Sequence, residues 1–383
     1  MTLPSCPACG SRRGRSVADL GTLPALSGVL YSDRTTAREA VTGRIILQAC
    51  TSCGHTYNKA FDPALVAYDR RYDNALDHSP AFNRYAETLA ARLVDSCGLV
   101  GGTAIEVGCG SGSFLELLCQ HGTARGLGFD PAAPTRNGPG PVTITASPLP
   151  LTLDGTADLV CCRHVLEHLT DPLQLLHSVL EATRQQPTPC YVEVPNGTWI
   201  SNESGPWDVI YPHVSYFTDT SLRALLSRAG ADVRQLNVAY YDQFLAAEVL
   251  LPGTRTDAQL AAHPTDTATT AALLHKQRRG ILRWAKRLQL QTPGEQIIVW
   301  GAGSKGTTFL NLVDPASNLI RFAVDLNPSK WGCYIPRTGH QVLPPEHAAL
   351  RKVDEIIVMN PVYQNEIRHT ITKLGLSPRL TMV

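Results

Sequence analysis

Two features are missing from this sequence: an excess of charge of one sign and a long hydrophobic run. The formal net charge of its 383 residues is +1, so the chain has no overall attraction to nucleic acid or to an anionic membrane. No stretch of about 18 uninterrupted apolar residues occurs, and residues 1–6 carry neither the charged nor the apolar region of a secretory leader. We therefore expect a cytoplasmic globular protein that makes no membrane contact.

The sequence also lacks the cysteine pattern of a disulfide framework. The chain has 11 cysteines, an odd number, and four of them form two Cys-x-x-Cys pairs, Cys6 with Cys9 and Cys50 with Cys53. Each pair places two thiolates on one tight turn, and two such turns complete a tetrahedral zinc site. Because four thiolates leave no open coordination position, we predict that the zinc ion is structural. We expect His55, after the second pair, to be a surface residue rather than a replacement ligand.

An apolar strand pattern, a glycine cluster and a helical pattern follow one another between Ile105 and Phe114. Glycines let the backbone turn sharply at the end of the strand and let a nucleotide-like ligand approach the main chain. The segment looks like the S-adenosylmethionine loop of class I methyltransferases. About twenty residues later a second strand pattern ends in Asp130, the spacing at which doubly wound folds place an acid on ribose hydroxyls. The predicted cofactor-binding residues here are Glu106, Gly108, Gly110, Gly112, Phe114 and Asp130.

A further strand pattern, 157–163, supplies candidates for the wall of the same pocket. It ends in Arg163 and is followed by His164 and His168, which a helix would place on one face. Glu167 would lie off that face, and no third ligand is obvious. We therefore predict that Arg163, His164 and His168 line a pocket at the carboxyl end of the strand rather than hold a metal ion.

A helical pattern also precedes the glycine cluster. Ser79 followed by Pro80 is typical of a helix N-cap with proline at the first helical position. That helix would close over the cofactor site from its amino-terminal side. Tyr72, just before it, is predicted to contribute to the pocket wall.

Taken in order, several segments together resemble a known family. The two cysteine pairs are followed by Glu-Val-Gly-Cys-Gly-Ser-Gly, His-Val-Leu-Glu-His, Glu-Val-Pro-Asn and His-Val-Ser-Tyr-Phe-Thr. This order resembles the zinc-containing class I C-methyltransferases that methylate C3 of 4-keto nucleotide-linked deoxysugars, and the resemblance spans nearly the whole chain. It implies S-adenosylmethionine as cofactor, a structural zinc ion and a nucleotide-linked sugar as the small-molecule substrate.

The resemblance also implies roles for the aromatic and histidine-rich loop at 207–218. The family's Tyr-His-Glu-His motif ends in a base that removes a proton α to a carbonyl, and the matching residue is His213. The implied catalytic residues are His213, Tyr216, Tyr211 and His168, with a tyrosine donating to the enolate oxygen. Ile210 and Pro212 stand where the family has tyrosine and glutamate, which leaves N- or O-methyl transfer as an alternative.

The carboxyl-terminal third contains a second nucleotide-binding pattern. A basic helical stretch at 271–290 leads to an apolar strand and the glycine-rich segment 301–306, with Asp325 near the distance of a ribose-binding acid. Lys305 would add a cation for a pyrophosphate at this helix start. Alone, this pattern indicates an NAD-dependent oxidoreductase. The basic helix together with a zinc ribbon would indicate an RNA-modifying protein, although a solvated helix face is the expectation here.

We therefore predict an α/β protein of three folded parts. A four-cysteine zinc ribbon occupies 1–62, and a class I methyltransferase Rossmann-like domain occupies 63–250. A linker and helix at 251–290 lead to a smaller Rossmann-like substrate domain at 291–383. The resemblance implies that this last domain borders the sugar nucleotide and carries no redox cofactor.

Overall fold

The computed structural model describes residues 5–66, 78–150, 156–184, 186–253 and 267–383, without the side chains of residues 203, 204 and 267–277. The strands are β1 Gly14–Pro24, β2 Thr42–Cys50, β3 Thr56–Asn58, β4 Thr103–Val107, β5 Arg125–Phe129, β6 Val142–Thr145, β7 Leu159–Arg163, β8 Thr188–Pro195, β9 Ser215–Tyr216, β10 Asp232–Ala239, β11 Phe244–Leu251, β12 Ile297–Trp300, β13 Ala323–Val324, β14 Val342–Leu343, β15 Glu355–Val358 and β16 Arg379–Met382. The helices are α1 Arg34–Arg38, α2 Pro80–Ser96, α3 Ser113–Gln120, α4 Pro172–Ala182, α5 Gly197–Trp199, α6 Asp219–Arg228, α7 Thr267–Gln289, α8 Ser304–Val313 and α9 Gln364–Lys373.

The first sheet is a small antiparallel one with the strand order β1-β2-β3-β9. Strands β1 and β2 form a hairpin between the two cysteine pairs, which accounts for the long spacing between them. Strand β9 comes from the 205–218 loop, and its two residues pair with Thr56 and Tyr57. The amino-terminal sheet is thus joined directly to the loop that carries His213.

The second sheet has seven strands in the order β10-β11-β8-β7-β4-β5-β6. Strands β4 to β8 run parallel to one another. Strand β11 pairs antiparallel with β8, and β10 pairs antiparallel with β11. The parallel strands are near-continuous apolar runs because helices cover both faces of the sheet. This sheet confirms the predicted doubly wound fold, and its carboxyl edge brings together the ends of β4, β5, β7 and β8.

Each face of this sheet has its own core. On one face Leu89 of α2 and Leu115 of α3 pack against strand residues such as Tyr191. On the other face α4 and α6 pack against alternate strand residues, and Cys6 and Cys53 belong to this same core. The cysteine turns are therefore buried against the second sheet rather than tethered at a distance from it. The predicted N-cap of α2 is confirmed, since the Ser79 hydroxyl accepts a hydrogen bond from the Phe82 amide.

The third sheet is entirely parallel, with the order β14-β13-β12-β15-β16. Helix α7 packs on it through Trp284 and Leu288. Arg287 of the same helix bonds the buried Glu355 carboxylate, which also accepts from Arg379 and Thr381. In the part of the chain that the structure describes, no helix is both long and apolar enough to cross a membrane.

Contacts to α2 and to the β10–β11 turn join the third sheet's helices to the second sheet. The Glu366 carboxylate of α9 accepts the Ala81 amide at 2.7 Å and the Ser79 hydroxyl at 3.2 Å. The Tyr240 hydroxyl donates to the Tyr363 hydroxyl at 3.0 Å. An anionic side chain at a helix amino terminus satisfies free N–H groups and interacts favourably with the helix dipole. Glu366 is therefore a cap for α2 that comes from a different part of the chain.

We expect Glu366→Ala to loosen the first turn of α2. Loss of the cap leaves the Ala81 N–H without its carboxylate partner, which destabilises the first turn of α2 by about 1 kcal/mol. Hydrogen exchange of the Ala81 amide should therefore be roughly fivefold faster. Hydrogen exchange of the full chain measures this directly. The control is Glu346→Ala, which removes an exposed carboxylate from the carboxyl-terminal third of the chain, where Glu366 also lies. Equal exchange of the Ala81 amide in both variants would contradict the capping role.

Candidate functional site

The glycine turn after β4 has the backbone shape that the sequence predicts. Gly108, Gly110 and Gly112 have φ angles of +71°, +51° and +81°, a region that favours glycine. A Cβ at Gly108 would lie 2.3 Å from a methyl group of Val165. Beside Gly110, by contrast, no described atom lies within 4 Å of where a Cβ would be. The turn is therefore packed against the protein on one side and open to a ligand on the other.

Asp130 lies directly against this turn. Its carboxylate accepts the Gly110 amide at 2.9 Å and the Ala132 amide at 2.8 Å. The acid at the end of β5 is thus brought to the glycine cluster, as the spacing of the two motifs predicts. Each carboxylate oxygen has two lone pairs, so these bonds leave capacity for ligand hydroxyls.

A buried cluster of charges lies at the carboxyl edge of β4, β7 and β8. The Arg163 guanidinium is 3.2 Å from the Glu193 carboxylate and 3.8 Å from that of Glu106. It also lies over the Phe114 ring, 4.0 Å from its centroid. Glu193 accepts further hydrogen bonds from Tyr85 and Tyr191. The predicted pocket residues Glu106, Phe114 and Arg163 therefore contact one another.

The two glutamates of this cluster have opposite pKa shifts. Burial raises the pKa of Glu106 to about 7, and the Arg163 charge only partly offsets this. Burial also acts on Glu193, but Arg163 and His164 outweigh it and lower its pKa to about 2. Glu193 is therefore ionised at neutral pH, while Glu106 is poised between its two forms.

The expected helix at residues 164–169 is wrong. His164 has φ +56°, a left-handed conformation that no helix continues through. A single 3-10 turn, Leu166–His168, follows, and α4 begins only at Pro172. His164 therefore points back to the charge cluster, with its Nε2 3.1 Å from the Glu193 carboxylate and its Nδ1 3.6 Å from that of Glu167. Burial lowers the pKa of His164, but these two carboxylates outweigh burial and raise it to about 9.

The 3-10 turn and the 210–214 loop bring together a group that the sequence did not predict. One oxygen of Glu167 and one ring nitrogen each of His168 and His213 all lie within 4.8 Å of one another. The rings of His168 and His213 meet edge to face, with centroids 4.8 Å apart. Glu167 was expected to point away from the histidines. The 3-10 geometry turns it towards them, so a third polar group is present after all.

The hydroxyl groups of Tyr211 and Tyr216 are hydrogen-bonded within the protein. Tyr211 is fully buried, and its hydroxyl accepts the Asp62 amide at 2.8 Å. The Tyr216 hydroxyl donates to the Ile210 carbonyl at 3.1 Å. Both side chains lie in the core under the β1–β2 hairpin, because β9 is a strand of that sheet. Their expected position as free hydrogen-bond donors is therefore corrected. Tyr72 lies outside the described residues.

The four cysteines converge as predicted. The Sγ atoms of Cys6 and Cys53 are 3.7 Å apart, and those of Cys9 and Cys50 are 3.5 Å apart. All four sulfurs lie within 4.8 Å of one another, and none forms a disulfide. Four thiolates around one zinc ion, with Zn–S bonds of about 2.3 Å, lie roughly 3.8 Å apart. The donor set and its spacing fit a tetrahedral zinc ion with no open position.

The expectation that His55 is a surface residue is wrong. Its side chain is fully buried, with Nε2 3.0 Å from the Ser215 hydroxyl and Nδ1 3.3 Å from that of Ser221. Burial lowers its pKa to about 3, so the ring is neutral. The long-range pairing of β3 with β9 brings Ser215 to it. His55 therefore fastens the cysteine turns to α6 without joining the four sulfurs.

The second glycine turn shares an aspartate bonded to a backbone amide with the first, but its backbone and its charges differ. Gly303 at the start of α8 is extended, with φ −84°, whereas Gly112 at the start of α3 has φ +81°. Asp325 accepts the Ala302 amide at 2.8 Å, as Asp130 does at Gly110, but it also pairs with Lys330 at 3.3 Å. Lys305 is paired with Asp208 at 2.8 Å. The cation expected to hold a pyrophosphate is thus already neutralised, because the 205–208 turn packs against α8.

Glu193 and Tyr85 are the site residues that sequence reasoning missed. Glu193 is a single acid in an otherwise apolar strand, Cys190-Tyr191-Val192-Glu193-Val194. An acid in such a strand has to be paired inside the protein, and this was the available signal. Tyr85 gave none, since its place in the helical pattern matches an ordinary core residue.

Two family models match the chain. A model described as a methyltransferase domain matches residues 82–236, and one described as a C-methyltransferase C-terminal domain matches residues 268–375. No match to a curated protein was found.

Similar solved structures include an S-adenosylmethionine-dependent methyltransferase from Mesorhizobium loti, at 18% identity over 44% of this chain and 99% of that chain, with a TM-score of 0.34. Magnesium protoporphyrin IX methyltransferase from Synechocystis has 16% identity over 44% of this chain and 79% of its own, with a TM-score of 0.32. An N1-methyltransferase of 1,6-didemethyltoxoflavin from Burkholderia thailandensis has 16% identity over 51% and 95% of the chains, with a TM-score of 0.35.

The methyltransferase match covers the glycine turn, the charge cluster and the 210–214 loop. The C-methyltransferase match covers the third sheet up to α9. By these two matches, the chain contains a methyltransferase domain followed by a C-methyltransferase C-terminal domain.

Proposed function

We propose that the protein methylates a carbon atom of a nucleotide-linked keto-deoxysugar or a related biosynthetic intermediate. The observation that carries this proposal is the position of His213 at the carboxyl edge of the sheet, where one of its ring nitrogens lies within 4.8 Å of an oxygen of the buried Glu167 carboxylate. The Nδ1 atom of His213 is buried and has no hydrogen-bond partner among the described residues. A C-methyltransferase C-terminal domain in the same chain supports a carbon acceptor.

Methylation at carbon requires a base. A carbon next to a carbonyl becomes nucleophilic only after a proton is removed, and a histidine ring nitrogen can accept that proton. We assign this step to His213. The proton passes to the imidazole, and the electron pair stays on the acceptor as an enolate. S-adenosylmethionine, when bound, supplies an electrophilic methyl group.

The remaining predicted residues are assigned to cofactor binding and to support of the loop. The open side of the turn at Gly108, Gly110 and Gly112, with Asp130 beside it, is proposed to receive the cofactor. Arg163 and His164 are proposed to hold the buried carboxylates in place beneath it. Tyr211 and Tyr216 are proposed to hold the 210–214 loop, and His168 to border the acceptor beside His213.

The division of the chain follows from the same assignment. We propose a zinc-binding part at 1–62, a methyltransferase domain at 63–250, a connecting segment at 251–290 and a substrate domain at 291–383. The zinc ion is proposed to be structural, since the four sulfurs lie in the core that also contains residues of α6. Its role is to fix the sheet that β9 joins.

Asp130→Ala is expected to weaken cofactor binding. The change removes a carboxylate that can accept hydrogen bonds from ligand hydroxyls and that accepts the Gly110 amide, a loss of about 1.5–3 kcal/mol. Calorimetric titration with S-adenosylhomocysteine gives the affinity. Asp158→Ala is the control, because Asp158 caps the Thr103 amide at the opposite end of β4. Equal affinities of the two variants would rule out the assignment of Asp130.

Cys50→Ser is expected to remove a zinc ion and loosen the amino-terminal sheet. One zinc ion per chain should be found in the purified protein by elemental analysis, and less than one in the variant, because metal binding and local folding are coupled. Cys119→Ser changes a cysteine outside the cluster and should leave the zinc content unchanged. A metal-free wild-type protein with the same stability as the zinc-treated protein would contradict a structural zinc ion.

His213→Asn is expected to leave S-adenosylhomocysteine binding intact and to reduce turnover by a factor on the order of 10²–10⁴, as for loss of a general base. Solvent deuterium exchange at the acceptor carbon should be lost with it, and NMR of the acceptor measures this. His177→Asn, at an exposed histidine of α4, is the control. Exchange at the wild-type rate in His213→Asn, or a product methylated on oxygen or nitrogen, would overturn the proposal.

A further inference from the structure

The 210–214 loop and the 3-10 turn at Leu166–His168 are joined by two hydrogen bonds. The Val214 amide donates to the Glu167 carbonyl at 2.7 Å. His168 Nδ1 lies 3.0 Å from the Pro212 carbonyl, to which it donates. These bonds flank His213 on both sides in the sequence. The loop therefore cannot carry His213 away from Glu167 without breaking them.

Glu167 and His213 each have unsatisfied polar atoms at this point. Glu167 is 1% exposed, and neither of its carboxylate oxygens has a hydrogen-bond partner among the described residues. Nδ1 of His213 is in the same situation. The nearest ring nitrogen to Glu167 in an ion pair, Nδ1 of His164, is 3.6 Å away, too far for a hydrogen bond. A buried carboxylate without a hydrogen bond and a buried ring nitrogen without a partner both cost free energy. One contact between them would satisfy both groups.

We propose that Glu167 is the carboxylate partner of His213, a positioning residue that orients the imidazole for proton abstraction. The inference rests on the proposed function. One ring nitrogen of His213 and one carboxylate oxygen of Glu167 lie within 4.8 Å of each other, a gap that a side-chain rotation or one bridging water closes. The loop offers no carboxylate of its own, since residues 209–216 contain no aspartate or glutamate.

The need for a partner follows from the surroundings of His213. Burial and the neighbouring His168 lower the pKa of His213 to about 3, and Glu167 acts in the opposite direction. A base whose pKa lies this far below neutral is weak. A hydrogen bond from Nδ1 to an ionised carboxylate stabilises the protonated ring and raises its pKa.

The Glu167 carboxylate is ionised, as a hydrogen bond from Nδ1 of His213 requires. Burial opposes ionisation, but His164, His168 and His213 together hold the pKa of Glu167 below its usual value. The other charged groups of this edge are Arg163 and Glu193, which pair with each other, and Glu106.

The proton transfer is then fully specified. Nδ1 of His213 donates to the Glu167 carboxylate, and Nε2 takes the proton from the acceptor carbon. The electron pair of the broken C–H bond stays on the acceptor as the enolate. The carboxylate remains ionised throughout, as in other carboxylate–histidine pairs.

NMR titration of histidine-labelled full-length protein with bound S-adenosylhomocysteine tests the pairing without an acceptor. The ring nitrogen signals of His213 are identified by their loss in His213→Asn. We expect Glu167→Gln to lower the pKa of His213 by about one unit or more, and Glu167→Asp to restore part of the shift. Glu116→Gln, which neutralises a surface carboxylate of α3 paired with Arg136, should leave the titration unchanged.

A kinetic test uses a thymidine-diphosphate-linked 4-keto-6-deoxyhexose as the probe in deuterated water. Glu167→Gln should slow exchange at the acceptor carbon on the order of 10²-fold or more without changing S-adenosylhomocysteine affinity. Added to His213→Asn, it should cause little further loss, because the two residues act as one unit.

Two results would overturn the inference. One is a His213 titration that is the same in Glu167→Gln as in the wild type. The other is a second metal ion per chain, beyond the zinc ion, that is lost in Glu167→Gln, since the three side chains would then be metal ligands. Methylation of the probe on oxygen or nitrogen would instead refute the proposed function, and the NMR result would still decide the pairing.

Discussion

The ionised carboxylate of Glu193, buried in the end of a parallel strand, is the constraint on which the site depends. A buried charge is tolerated only when it is fully paired and hydrogen-bonded. The register of strands β7 and β8 supplies the main partner of the Glu193 carboxylate, because Arg163 lies directly opposite Glu193. Tyr85 and Tyr191 add hydroxyl donors, and His164 adds a second positive charge. Losing one partner of such a cluster costs about 3–5 kcal/mol, because the remaining charge is left uncompensated.

This constraint determines the path of the chain after β7. His164 reaches Glu193 only by taking a left-handed backbone conformation, which prevents a helix from starting there. The chain instead makes one 3-10 turn, and that turn directs Glu167 and His168 to the 210–214 loop. The electrostatics of the strand end thus places the groups to which we assign proton abstraction. The same sheet edge carries the open glycine turn, so the residues proposed to bind the cofactor and those proposed to face the acceptor are held by one sheet.

The features that the sequence predicted correctly depend on residues close to one another in the chain. The glycine turn, the acid after β5 and the N-cap at Ser79 all follow from a few neighbouring residues. The features that it missed depend on distant contacts. The burial of His55 needs β9, which is some 160 residues away, and Glu167 meets His213 only because two hydrogen bonds join their segments. A helical periodicity at 164–168 was overridden by one ion pair, which spacing alone does not reveal.

The two glycine turns show why a motif does not define a ligand site by itself. Both have an aspartate bonded to a backbone amide of the turn. At the second turn Lys330 neutralises Asp325, and the neighbouring lysine of α8 is paired with Asp208. At the first turn the space beside Gly110 is open, and the buried Arg163–Glu193 pair lies at the same edge of the sheet. The third sheet instead contributes α9 and its preceding turn, which bond to the start of α2 and to the β10–β11 turn. These hydrogen bonds hold the third sheet beside the second one.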